Sequence, residues 1–138
     1  MYFSVIMPSA GHDLLHAEKK AAIESTAAVC GLAVRFPPAS PYKSFDLDAA
    51  LNELRNAGFV LADLTGERPS CYYELGLAEA MGKKVFLLAV KGTPIHQAAS
   101  RRSTTFFTDM KEFRALIRAI FSEGQGMPIR SGTRSATG

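Results

Sequence analysis

Short apolar runs alternate along this chain with longer segments of helical spacing. Tyr2 to Met7 is an uninterrupted apolar stretch apart from Ser4, and it predicts a first strand. Pro8-Ser9-Ala10-Gly11-His12 follows as a small, flexible loop whose backbone can approach a ligand closely. Asp13 to Val29 reads as a helix, with Leu14, Ala17, Ala21, Ala28 and Ile23 as its apolar face. Glu18, Lys19, Lys20 and Glu24 form its wet side, and Gly31 ends it. Leu32 to Phe36 predicts a second strand, and Pro37 to Pro41 a stiff loop. A second helix, capped near Ser44, is expected over Phe45 to Ala57, with Leu47, Ala50, Leu51 and Leu54 at helical spacing. Gly58 hands over at once to Phe59-Val60-Leu61-Ala62, a run suited to a buried parallel strand.

Asp63 stands at the carboxyl end of that third strand. Thr65 to Pro69 is a polar loop. Ser70 is placed to cap a third helix over Cys71 to Met81, which Gly82 stops. Val85 to Leu88 predicts a fourth strand. Lys91 to Ser103 reads as a polar connector, and Thr104 to Phe107 as a fifth strand. Asp109 caps a last helix, Met110 to Phe121, with Phe113, Leu116, Ile117 and Ile120 inward. This alternation predicts a single α/β domain over residues 1–122, a three-layer sandwich around a parallel five-stranded sheet. The expected strand order is the flavodoxin-like 2-1-3-4-5, whose switch point lies between the first and third strands. The loops Pro8 to His12 and Asp63 to Ser70 then face each other across one crevice. Residues 123–138 read as a flexible tail.

Composition narrows the function. A net charge of +3 is compatible with an anionic small molecule, and no basic stripe interleaved with aromatics points to nucleic acid. No run approaches the length of a membrane helix. The two cysteines, Cys30 and Cys71, have neither metal nor redox spacing and read as reduced thiols of a cytoplasmic protein. His12, His16 and His96 are scattered, so no metal site is expected, and no cofactor. The chain has no P-loop, no G-x-G-x-x-G and no G-x-S-x-G.

Glu74 and Asp63 are the candidate catalytic pair. An acid in the first turn of a helix complements the helix dipole by about 0.3–1 kcal/mol, which alone accounts for many such residues. Here Tyr72 and Tyr73 precede Glu74, and Gly76 follows two residues on. A glycine inside a helix costs roughly 1 kcal/mol relative to Ala, so close approach of a neighbour or ligand is one reason for it. A carboxylate in such surroundings can act as a nucleophile or stabilise an oxocarbenium-like centre. Asp63 either closes an Asx-turn or holds a ligand and handles the proton of a leaving base. Ser70 is a cap, and the amides beside it suit a phosphate or sugar hydroxyl.

The string A-D-L-T-G-E-R-P-S-C-Y-Y-E-L-G-L-A-E-A-M-G-K-K-V-F-L-L, Ala62 to Leu88, resembles the nucleoside 2-deoxyribosyltransferase-like superfamily. Phe3 to Ser9 is similar to the first strand of its small bacterial members. The resemblance implies that Glu74 is the nucleophile on C1′ and that Asp63 helps hold the nucleobase. It further implies that Ser70, with Cys71 and the loop residues Thr65 and Gly66, lies where a 5′-phosphate and sugar bind. Pro8, Ser9, Gly11 and His12 would close on the base. The implied partner is a nucleoside or nucleotide, with a homodimer or larger homo-oligomer expected. The first strand lacks the aromatic-and-acid signature of the transferases, which sets hydrolysis beside transfer. Ser70 to Leu75 also resembles the C-x-x-E-L string of TIR domains, which implies NAD cleavage as an alternative. A non-catalytic nucleotide-binding module is a third reading.

Overall fold

The computed structural model describes residues 1–36, 46–97 and 103–125. Five strands form one all-parallel sheet in the order β2-β1-β3-β4-β5. They are β1 (Tyr2–Ile6), β2 (Ala33–Arg35), β3 (Phe59–Asp63), β4 (Val85–Val90) and β5 (Thr104–Phe107). Four helices are described: α1 (His16–Cys30), α2 (Leu47–Asn56), α3 (Pro69–Ala80) and α4 (Met110–Gln125). The expected α/β sandwich and its strand order are therefore observed. Residues 37–45, with the expected proline loop and the cap at Ser44, lie outside the described residues.

Strand alternation sorts the core into two layers. Phe3, Val5, Phe59 and Leu61 meet Ile23 and Ala27 of α1 and Phe113, Ile117 and Phe121 of α4. Ile6, Val60 and Ala62 meet Leu54 of α2 and Cys71, Leu75 and Ala78 of α3 on the opposite face. All five residues of β3 are buried, as a central parallel strand covered by helices on both faces requires. The α4 start is held reciprocally. Asp109 accepts from the Glu112 N–H at 2.9 Å, and Glu112 accepts from the Thr108 N–H at 2.8 Å. This helix runs through Gln125, past the expected boundary at 122, and the Gln125 amide donates to the Cys30 carbonyl.

Three local expectations are corrected. The first helix begins at His16, not Asp13, because Ala10–His12 forms a 3-10 turn and the Asp13 side chain accepts the Leu15 N–H. Its inward face is Lys19, Ala22, Ile23 and Ala27, while Leu14, Ala17, Ala21 and Ala28 are exposed. Alanines stand on both sides of this helix, so spacing alone does not choose between them. The second helix is capped by Asp46, whose carboxylate accepts from Ala49 N–H at 3.0 Å, and Leu47 is exposed. Ser70 is not the cap of α3: Arg68 occupies that position and Pro69 is the first helical residue. Proline suits that place because its fixed φ is already helical and the missing N–H would be unpaired there anyway.

Candidate active site

The carboxyl edge of the sheet gathers the ends of β1, β3 and β4 with the loops that follow them. Asp63 ends β3 on the face shared by Phe59 and Leu61, toward α1. Asp63 is 3% exposed, and both of its carboxylate oxygens are engaged. One oxygen accepts from the Lys19 ammonium at 2.8 Å. The other accepts from the Thr65 N–H at 3.0 Å and the Thr65 hydroxyl at 2.6 Å. The Asx-turn and a buried ion pair therefore coexist. Lys19 also donates to Asp13 at 2.6 Å and lies 5.1 Å from the centre of the Phe107 ring.

Glu74 comes from the other side of the sheet, on α3. Cys71, Leu75 and Ala78 are the buried face of that helix. At about 100° per residue, Tyr72 and Glu74 leave opposite flanks of this face. Tyr72 donates to Glu67 at 2.9 Å, and Glu67 accepts from the backbone and ring of His96, beyond β4, at 2.8 and 2.7 Å. Glu74 thus leaves the flank of α3 away from the Glu67–His96 pair. It is half-buried and, among the described residues, accepts no hydrogen bond and makes no ion pair. Burial pushes its carboxyl pKa up. Burial and the negative charges of Glu74 and Asp63 push the Cys71 thiol up to about 12, so Cys71 lies in the field of both acids.

The remaining predicted residues fall around this edge in different ways. Ser9 and His12 are exposed and joined at 3.2 Å, and Gly11 beside them is open. Pro8 is buried, and its carbonyl is taken by the His16 ring at 3.0 Å, which fixes the loop base. Thr65 is committed inward, since its hydroxyl also accepts the Val90 N–H at 3.0 Å. Gly66 adopts φ 74°, a left-handed conformation glycine takes without a Cβ penalty, and it is exposed. At the start of α3 the Cys71 and Tyr72 amides already bond the Arg68 carbonyl, leaving Ser70 exposed there. Gly76 faces open space, with nothing within 4 Å of an added Cβ, so no part of the described chain requires a glycine there.

Lys19, Asp13, Glu67 and His96 are the site-edge residues the sequence reading missed. Lys19 was detectable, because it shares a helical stripe with Ala22, Ile23 and Ala27. The Glu67–His96 pair joins residues 29 apart and leaves no local trace. His96 holds Glu67 below the usual carboxylate range, its backbone N–H being the main cause. A separate shallow groove, lined by Lys91, Thr93, Phe106, Thr108 and Glu112, lies past the ends of β4 and β5. Among the described residues no group of three or more His, Cys, Asp or Glu could hold a metal ion, and no helix is long and apolar enough to cross a membrane.

This fold is the one taken by two solved enzymes of nucleoside and nucleotide chemistry. The CMP N-glycosidase BcmB of Clostridium botulinum superposes with a TM-score of 0.58 at 18% identity, over 85% of this chain and 98% of that one. The 2-deoxyribosyltransferase of Bacillus psychrosaccharolyticus superposes with a TM-score of 0.61 at 16% identity, over 94% and 93%. At such identities the likeness is one of fold, and it agrees with the superfamily that the Ala62 to Leu88 string resembles. No family model matches the chain, and no curated protein sequence matches it significantly.

Proposed function

We propose that this protein cleaves the N-glycosidic bond of a nucleoside or nucleoside 5′-monophosphate, with Glu74 as the nucleophile. The observation that carries this reading is the Glu74 carboxylate itself. It is half-buried, unpaired among the described residues, and on the flank of α3 opposite Tyr72. Burial that raises its pKa also strips it of water, which leaves a less solvated and more reactive oxygen. Glu74 is the sixth residue of α3, past the first turn where it was expected, so complementing the helix dipole does not account for it.

In the first step a Glu74 oxygen bonds to C1′ as the C1′–N bond breaks, and the bonding pair leaves on the base nitrogen. The base takes a proton to depart neutral. In the second step water adds to C1′, its proton is lost, and the Glu74–C1′ ester opens to regenerate the carboxylate. A second base in place of water makes the same chemistry a transfer. The solved enzymes sharing the fold support the substrate class, since one is named for CMP and the other for deoxyribosyl transfer.

Incubation with a panel of nucleosides, 5′-monophosphates and NAD, followed by chromatography, tests the proposal. Free base should appear from a nucleoside or monophosphate, and Glu74→Ala should abolish release with the fold intact. Nicotinamide release from NAD alone would assign the reaction to the other substrate class. A wholly intact panel would overturn the enzymatic reading.

A further inference from the structure

The most deeply buried charge near the crevice is not Glu74 but Lys19, 1% exposed. Its ammonium bonds Asp13 and Asp63, whose side chains are only 7% and 5% exposed. From Asp63 the contacts continue through the Thr65 hydroxyl to the Val90 N–H at the end of β4. A continuous polar chain thus crosses the carboxyl edge from the loop after β1 to β4. The loops that follow β1 and β3 both hang from it. The 8–13 loop is attached through Asp13, whose second oxygen takes the Leu15 N–H at 2.9 Å. The 64–68 loop is attached through Asp63 and Thr65.

Stability alone does not account for such an arrangement. Taking three charges out of water is costly, and apolar residues of similar volume often replace buried ion pairs with no loss. What the ammonium supplies that a methionine could not is a fixed distance between two separate carboxylates. Asp63 is meanwhile engaged at both oxygens: it accepts three hydrogen bonds, one of them from a cation. A carboxylate so held is committed as an acceptor to groups of the protein itself.

We propose that Lys19 is a positioning residue of the crevice: it spaces the 8–13 and 64–68 loops through Asp13 and Asp63, and it keeps Asp63 an ionised strut, not the acid that protonates the departing base. The kinetic consequence rests on the Glu74 reaction proposed above, and the spacing of the loops does not. In that reaction the base takes its proton from water, and Asp63 is unchanged from start to finish.

The test compares Lys19→Met with the neutral triple variant Asp13→Asn/Lys19→Met/Asp63→Asn by amide hydrogen exchange, at a temperature where both are folded. In Lys19→Met the amides of both loops should lose protection together, by roughly tenfold or more, while those of α4 hold. The triple variant should regain most of it. With a cleaved monophosphate, Lys19→Met should lose on the order of 100-fold, mainly in kcat, as a displacement of about 1 Å can cause. The triple variant should return to within about tenfold of the parent despite having no carboxyl group at 63, a loss smaller than removal of a general acid brings. Unchanged protection in Lys19→Met, or loosening of one loop alone, overturns the strut. A triple variant with restored loops and no turnover, beside an active parent, overturns the assignment of Asp63. Loosened loops in a protein that cleaves nothing uphold the strut and count against the Glu74 reaction only. Should Lys19→Met not fold, Asp13→Asn leaves the Lys19–Asp63 pair and should free the 8–13 loop alone.

Discussion

Cys71 is a built-in reporter on the charge of Glu74. Its thiol is pushed from 9.0 up to about 12, by burial first, then by Glu74, then by Asp63. Only the thiolate is alkylated, so at pH 8 an ordinary thiol is about one-tenth reactive and Cys71 about one part in ten thousand, a difference of roughly a thousandfold. Poor access would also slow the reaction, since Cys71 is 2% exposed, but access shifts the rate without changing its pH dependence. Iodoacetamide labelling, followed by peptide mass spectrometry, should therefore show a Cys71 rate rising tenfold per pH unit through 9 and 10 with no plateau. Cys30, partly exposed on a separate element, controls for general accessibility. Glu74→Gln removes the second cause and should speed labelling at every pH, and Asp63→Asn should act in the same direction more weakly. The sign for stability is also fixed. The unfolded thiol loses its proton first, so stability falls as pH rises from 9 toward 12, by at most about 1 kcal/mol per pH unit. A plateau in the labelling rate near pH 9, or a Glu74→Gln protein labelled no faster than the parent, would refute the placement of Cys71 between two acids.

Two further outcomes follow from the same neighbourhood. The folded-state pKa of Glu74 is raised, so its ionisation opposes folding; Glu74→Gln should be more stable than the parent at pH 7, with the gain vanishing as pH falls below about 4.5. Parallel denaturant melts across pH check this, and a gain that persists at pH 3 would contradict it. Gly76 is exposed, helical and free of neighbours within 4 Å, so Gly76→Ala should raise stability by about 1 kcal/mol in the same measurement. A loss instead would show that something outside the described chain approaches that face.

The sheet was legible because each strand is a short apolar run closed by a turn residue, as Gly58 and Gly82 close the segments before β3 and β4. Such a run tolerates little but burial between two helix layers, and the alternation with helices then leaves few topologies. The first helix shows where this logic ends. Ala17, Ala21 and Ala28 compete with Ala22, Ile23 and Ala27, and the face that packs inward contains a lysine that hydropathy assigns to water. What decides the matter is two carboxylates, one of them 44 residues away, and no local window contains that information. Ser70 lost the cap position to Arg68 because Pro69 fits the first helical turn better than a hydroxyl fits before it. Glu74 was singled out by its flanking string, whereas its partial burial is a property of the assembled edge.

The place of β1 in the sheet has a consequence for synthesis of the chain. It sits between β2 and β3, so one side of Tyr2–Ile6 stays open until residues 59–63 have been made. At 5–20 residues per second the ribosome takes on the order of 3–10 s to cover that interval. For all of it, a β-prone segment is available to any other nascent chain nearby. This interval is set by strand order and not by the final stability, so substitutions that strengthen the finished core leave it unchanged. Demand for chaperones should therefore follow the translation rate between β1 and β3 more closely than it follows the melting temperature.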